Sequence, residues 1–211
     1  EVVKAGGTDV VGLGRDALDV TDEEACRAVI AGHEPDWVVH CAAYTAVDRA
    51  EDEPEKAMRV NHGGTVNVAT GAAAVGAGLV YVSTDYVFGG TERTPYAPTD
   101  PVDPRSVYAR TKRAGEEAAL AAGGVVVRTG WLYGPGGRNF VDAIVERAEA
   151  GESLKVVDDQ WGRPTRARNV AEVVLELLGK DPLHAGLRRD AGEGLERRLD
   201  DGSGDGERSG G

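Results

Sequence analysis

The sequence predicts an α/β fold built on a doubly wound parallel sheet, with a small, incomplete C-terminal part. Three observations predict it. The strand-like runs are apolar throughout rather than at every second residue, the pattern of strands covered on both faces. They alternate with segments of helical spacing, which is the order of a parallel sheet with helical crossovers. And the run "GLVYVSTDYVFGG" (78–90) passes straight into Ser83, Thr84, Asp85 and Tyr86. Reactive side chains at the C-terminal end of a parallel strand sit where open α/β sheets bind their ligands.

The elements follow in order. "EVVKAGG" reads as the last turn of a helix closed by glycines, and "TDVVGLGR" (8–15) as a short β-branched strand. "TDEEACRAVIAGH" (21–33) opens with capping residues Thr21 or Asp22 and acids in the first turn, a helix start. "PDWVVHCAA" (35–43) is a strand ending in small residues. Residues 53–77 read as one long helix rich in small side chains, and "GLVYVST" as the next strand. A polar, proline-rich stretch (89–106) leads to a helix over 107–123 and a strand over 124–134. Beyond these come a helix "FVDAIVERAEAGE", a short strand "SLKVVDDQ" and a helix "NVAEVVLELLGK". The domains expected are a Rossmann-like unit over 1–134 and a smaller part over 135–185. In 186–211 the apolar side chains larger than alanine are Leu187, Leu195 and Leu199 among glycines, arginines and acids, so that segment is expected to be a disordered tail.

Composition narrows the function. A net charge of −12 argues against nucleic-acid binding, which draws its affinity from basic surface. A small acidic ligand needs only local cations, and Arg163, Arg166 and Arg168 cluster in the sequence. No run approaches the roughly 18 apolar residues of a membrane span, and no basic-then-apolar stretch is read that would argue for secretion. Cys26, in a helix, and Cys41, in a buried strand, read as reduced core thiols of a cytoplasmic protein. No metal site is assigned.

Tyr108 and Lys112 stand four apart at the start of a helix and share a face. A free tyrosine titrates near pKa ~10; a neighbouring ammonium favours the phenolate and lowers that value. The pair can therefore act as one proton donor. Thr84, at the end of the preceding strand, can hydrogen-bond a carbonyl being reduced. Ala42 and Ala43, at another strand end, allow close backbone approach of a ligand.

Together "CAAYTAVDRAEDEPEKAMRVN", "YVSTDYVFGG", "VYARTKRAGEE", "RTGWLYG" and "DDQWGRPT" resemble the dTDP-4-dehydrorhamnose reductases, a family of extended short-chain dehydrogenases, over roughly residues 1–185. The resemblance implies NADPH-dependent reduction of the 4-keto group of dTDP-6-deoxy-L-lyxo-4-hexulose to dTDP-L-rhamnose. It makes Tyr108 the proton donor. Lys112 lowers the tyrosine pKa and binds the nicotinamide ribose, and Thr84 orients the carbonyl oxygen. It places Asp19 at the adenine and Ala42, Ala43 and Tyr44 along the cofactor's ribose and phosphates. Asp85, Trp131, Gln160, Arg163 and Thr165 fall on the substrate side, which makes 135–185 the substrate-binding part. Arg15 ends the strand whose next residue chooses the cofactor; an arginine there suits the 2′-phosphate of NADPH, while Asp16 beside it keeps NADH open. A homodimer is admitted, with a dTDP-4-keto-6-deoxy sugar as the small-molecule partner.

The chain departs from the family pattern in one respect. The glycine fingerprint that should follow the first strand is not found: Gly6 and Gly7 precede a strand, and Gly12 and Gly14 lack a third glycine and a helix. The first strand, the glycine loop and most of the first helix are therefore expected to be missing, which would leave this chain weakly active or inactive. Two rival readings stay open, a nucleotide-sugar epimerase or dehydratase with tightly held NAD, and a non-catalytic subunit resembling the regulatory partner of methionine adenosyltransferase.

Overall fold

The computed structural model describes residues 2–5, 8–135, 139–156 and 158–179. The segment 186–211, expected to be a tail, lies outside them. At its centre is a parallel sheet of β3 (Trp37–His40), β4 (Gly78–Thr84) and β5 (Val125–Thr129), in the order β3-β4-β5. Three helices build on it: α1 (Glu23–His33), α4 (Gly64–Ala74) and α5 (Val107–Ala121). This is the α/β arrangement with parallel strands that the sequence predicts.

Register fixes which side chains meet the helices. Val38 pairs with Leu79, His40 with Tyr81, and Tyr81 with Val126, so these five share one face of the sheet. On that face Leu79 and Tyr81 pack with Cys26 and Ile30 of α1, Val68 and Ala69 of α4 and Ala119 of α5. Each large apolar side chain buried there contributes about 1.5–3 kcal/mol. Helix α1 starts where expected: Asp22 accepts a hydrogen bond from the backbone N–H of Ala25, with Glu23 and Glu24 in the first turn. Helix α5 starts at Ser106, whose hydroxyl accepts from Ala109 N–H. It runs so close to the sheet that a side chain at Gly115 would collide with the Tyr81 hydroxyl and the Asn61 carbonyl.

Several expectations are corrected. "EVVKAGG" is not a helix end: β1 (Val2–Ala5) pairs antiparallel with β2 (Thr8–Val11) in a separate two-stranded sheet, since β-branched residues on both sides of the pairing favour extended backbone. The strand expected over 8–15 stops at Val11, so Arg15 does not end it but lies in the turn beyond. Residues 53–77 are not one regular helix. They comprise α3 (Pro54–Met58), preceded by α2 (Val47–Asp52), then a π-helical turn over Arg59–Gly63, then α4. The strand expected over 124–134 breaks at Gly130 and Trp131, the latter at φ +48°, into β5 and β6 (Leu132–Tyr133). Among the described residues of "SLKVVDDQ" there is no strand, for no neighbouring strand pairs with them and Val156 stays exposed. Cys41 lies just past the end of β3 and is exposed rather than buried; Cys26 is buried as expected, and both are free thiols.

The C-terminal part contains α6 (Phe140–Glu149), capped by Asn139, and α7 (Ala167–Leu178). Between them β7 (Thr165–Arg166) pairs parallel with β6, which ties residues 132–133 to 165–166.

Candidate active site

Strand β4 delivers Thr84 to the C-terminal edge of the sheet, and a 3₁₀ turn over Asp85–Val87 follows at once. The Thr84 hydroxyl accepts from Tyr86 N–H at 3.2 Å, which caps the turn, and donates to the Asp85 carboxylate at 3.3 Å. Asp85 packs against β5. A Cβ on Gly130 would lie 2.1 Å from Asp85 Oδ2, so only glycine leaves room for the carboxylate. Burial raises the Asp85 pKa, opposed by the Thr84 hydrogen bond.

Helix α5 brings Tyr108 to the same edge, where its ring meets Tyr86 edge-on at 5.9 Å. Burial raises the Tyr108 phenol above its ordinary value, and the nearby Thr84 hydroxyl pulls the other way. Lys112, one turn on, is almost wholly buried. Its ammonium donates to the Val82 carbonyl at 2.8 Å and lies 4.0 Å from the centroid of the Tyr81 ring. Burial lowers it to about 8, against the opposing charge of Glu116. The sequence expectation that Lys112 depresses the Tyr108 pKa is thus not met in this geometry. The two side chains share a helix face, but the ammonium is directed at the strand instead of the phenol.

Ala42, Ala43 and Tyr44 follow β3 on the same side. Tyr44 is held by a residue that sequence reasoning missed. Asn61, fully buried in the π-helical turn, accepts from Tyr44 N–H at 2.7 Å and donates to both Tyr44 carbonyl (3.2 Å) and the Thr111 hydroxyl (2.9 Å). One amide therefore ties the loop after β3 to the helix that carries Tyr108 and Lys112. The extra residue of a π turn commonly re-aims a side chain at a functional site. The available signal was an asparagine inside an apolar helical stretch, where its helix preference is poor. Glu51 of α2 adds a second tie, accepting from Val107 N–H at 2.7 Å.

At the edge, one buried side-chain atom on the helix-covered face has no protein hydrogen-bond partner, His40 Nε2, while the Ser83 hydroxyl bears on the Glu116 carboxylate. Burial, with the nearby Lys112 charge, lowers His40 to about 4, so it is neutral at pH 7. His40 Nε2, the small Ala42 and Ala43, and the ammonium of Lys112 lie at the C-terminal ends of β3 and β4. They suit the flat, polar nicotinamide-ribose end of a dinucleotide.

Arg15 and Asp19 lie in the exposed segment after β2, joined by a 3.8 Å ion pair. The Asp19 carboxylate accepts from Thr21 N–H and the Thr21 hydroxyl, which lowers its pKa and makes it a turn former. The charge of Arg59, in the π-helical turn, also bears on it.

Trp131, adjacent to Gly130, meets the predicted substrate loop. Gly162 lies against its indole, and the Trp131 carbonyl accepts from Thr165 N–H at 3.2 Å. Thr165 is half-buried and donates its hydroxyl to the Arg163 carbonyl, while Gln160 and Arg163 are exposed. Asp85 against Gly130 is the link between this loop and Thr84.

Residues 1–187 match the family described as RmlD substrate binding domain. The chain is 48% identical over 174 residues to a dTDP-4-dehydrorhamnose reductase of Streptomyces griseus, covering 81% of this chain and 57% of that protein. It is 45% identical over 203 residues to the dTDP-4-dehydrorhamnose reductase of Mycolicibacterium smegmatis, covering 93% and 60%. Among solved structures, dTDP-4-dehydrorhamnose reductase from Bacillus anthracis, in complex with NADP, superimposes with a TM-score of 0.77 at 36% identity, over 80% of this chain and 61% of that one. The Clostridium acetobutylicum orthologue gives 0.79 at 38%, over 83% and 63%. The chain spans about three fifths of the length of these relatives.

Proposed function

This chain belongs to the RmlD substrate binding domain family, and from that premise we propose that the protein reduces the 4-keto group of dTDP-6-deoxy-L-lyxo-4-hexulose, with NADPH, to dTDP-L-rhamnose. The observation that carries the reading is the convergence of Thr84, Tyr108 and Lys112 on the C-terminal edge of β4.

When bound, NADPH supplies the hydride; the chain's own residues do the rest. Thr84, fixed by its bond to Tyr86 N–H, turns its hydroxyl proton from the Asp85 carboxylate to the substrate carbonyl and sets its orientation. Tyr108 gives its proton to the carbonyl oxygen. Burial keeps that proton on the phenol at neutral pH, the state a general acid needs before the reaction. Lys112 and the Ala42–Tyr44 backbone hold the nicotinamide ribose. Trp131 and the loop bearing Gln160, Arg163 and Thr165 take the sugar nucleotide, and Asp85 faces the substrate from the Thr84 turn. This division assigns 1–134 to the cofactor and 135–185 to the substrate. Arg15 and Asp19 would serve the adenosine end. The same reading places the protein in the cytoplasm and allows two copies to pair. Among the described residues no helix is long and apolar enough to cross a membrane.

The test is NADPH oxidation with the 4-keto sugar nucleotide, and the identity of the product, by this chain joined to a strand and glycine loop of the kind its sequence lacks; without them the chain is expected to be weak or inactive. Consumption of NADPH with formation of dTDP-L-rhamnose is expected. NADPH binding without turnover of any 4-keto sugar nucleotide would refute the reading.

A further inference from the structure

Lys112 presents a physical problem. Its side chain is 2% exposed, in a region where a bare ammonium is costly. The charge is nevertheless well housed. It donates to one backbone carbonyl, Val82, and stands 4.0 Å above the Tyr81 ring, within the range of a cation–π contact. Tyr81 is fully buried, and its ring is pinned from two sides. His40 lies at 5.4 Å between centroids, and helix α5 crosses at Gly115, where even a Cβ would touch the phenol.

We propose that Tyr81 is a positioning residue, whose aromatic face together with the Val82 carbonyl forms a seat that keeps Lys112 charged and aimed at the sheet edge. The seat explains why the ring is needed rather than its hydroxyl. The Tyr81 O–H is turned away from Lys112, toward the Asn61 carbonyl at a long 3.5 Å and the Thr65 hydroxyl, while the ring face carries the ammonium. Aliphatic residues of similar size would fill the core as well but offer the charge nothing. The groups that face Lys112 are Tyr81 from β4, His40 and Cys41 from the end of β3, and Glu116 from its own helix. His40 is neutral at pH 7 and the Cys41 thiol is held above its ordinary value, so Glu116 is the opposing charge there. Glu116 in turn is engaged by Arg128 and Arg113. Tyr81 therefore supplies what Glu116 alone does not, a partner lying directly against the ammonium. That Lys112 serves the reduction rests on the reading above; that Tyr81 seats it does not.

The chain has only five lysines, Lys4, Lys56, Lys112, Lys155 and Lys180, so selective ¹³C labelling makes Lys112 observable by NMR, with its signal assigned by loss in Lys112→Arg. The expected wild-type spectrum has one lysine with ring-current-shifted ε-methylene protons, titrating near the value of about 8. Tyr81→Phe should keep both the shifted signal and the titration. Tyr81→Leu should abolish the ring-current shift and lower the titration by roughly 0.4–1.5 pH units, the equivalent of one cation–π contact. In the reductase assay the alkaline limb of the kcat/KM profile should move down by the same amount in Tyr81→Leu and stay in place in Tyr81→Phe. If Tyr81→Leu folds and leaves the Lys112 shift and titration unchanged, the seat is refuted. If the NMR changes appear but no variant moves the pH profile, the seat stands and the role assigned to Lys112 in the reaction falls. Should Tyr81→Leu fail to fold, Tyr81→Phe decides: loss of the shifted signal there overturns the proposal, and its retention supports it.

Discussion

Replacing Arg128 by Met should destabilise the protein by about 4–5 kcal/mol, the upper part of the range for stripping one partner from a buried ion pair. The structure gives the reason for the upper end. Glu116 is 0% exposed and accepts from Arg128 Nε and Nη2, both at 2.8 Å, and from Arg113 Nη1 at 2.9 Å. Without Arg128 two of these three charge-assisted bonds vanish and a buried carboxylate is left with Arg113 and the Ser83 hydroxyl. Arg128 is also a hub. It donates to the Pro98 carbonyl at 3.1 Å and covers Phe88 at 4.9 Å, and Phe88 stacks on Tyr96. The loop between Thr84 and Tyr108 would loosen with it.

Glu116→Leu should cost less, about 3 kcal/mol, because the guanidinium it abandons is 19% exposed and keeps Pro98 and Phe88. The double variant should be more stable than Arg128→Met, since two apolar side chains in place of a buried pair restore much of the loss. Urea unfolding of the four proteins measures this. For pH, burial pushes the Glu116 pKa up, but the hydrogen bonds of Arg128 and Ser83 and the charge of Arg128, with Arg113, outweigh it, so the folded value lies below the ordinary 4.5. Its stabilisation is therefore fully present above that ordinary value and lost as pH falls through the lowered one. The gap between wild type and Arg128→Met should be widest at neutral pH and close in acid. A cost under about 1 kcal/mol for Arg128→Met, or a double variant as unstable as the two singles summed, would refute the reasoning.

Tyr108→Phe should lower kcat by about 10²–10⁴-fold while leaving NADPH binding intact, measured by steady-state kinetics and nicotinamide fluorescence. Gly130→Ala should displace Asp85, whose Oδ2 would be 2.1 Å from the new Cβ, and should raise KM for the sugar nucleotide more than it destabilises the fold. Asn61→Ala should cost about 1–3 kcal/mol in thermal or urea unfolding, because Tyr44 N–H and the Thr111 hydroxyl lose a buried partner, and should weaken NADPH binding through the freed Ala42–Tyr44 loop.

Local pattern carried much of this molecule. The limits of β4 and the start of α5 at Ser106 are legible residue by residue. A run apolar at every position is covered on both faces, and a serine three residues before a free N–H is a cap. So are Thr84, Tyr108 and Lys112 as a set, because a strand end and a four-residue helical spacing are short-range facts. Other features depend on partners distant in sequence. The break between β5 and β6 falls at Gly130, where a side chain would strike the Asp85 carboxylate from the end of β4, and at Trp131 with its positive φ. The π-helical turn places Asn61 between Tyr44 and Thr111, residues 17 and 50 positions away. The direction of the Lys112 ammonium was decided by the Tyr81 ring and the Val82 carbonyl, not by its helical neighbour Tyr108. Sequence by itself determined which reactive groups reach the edge of the sheet. Tertiary structure alone decided how each is charged and aimed, because a buried ammonium or carboxylate takes its pKa and its direction from whatever the fold packs against it.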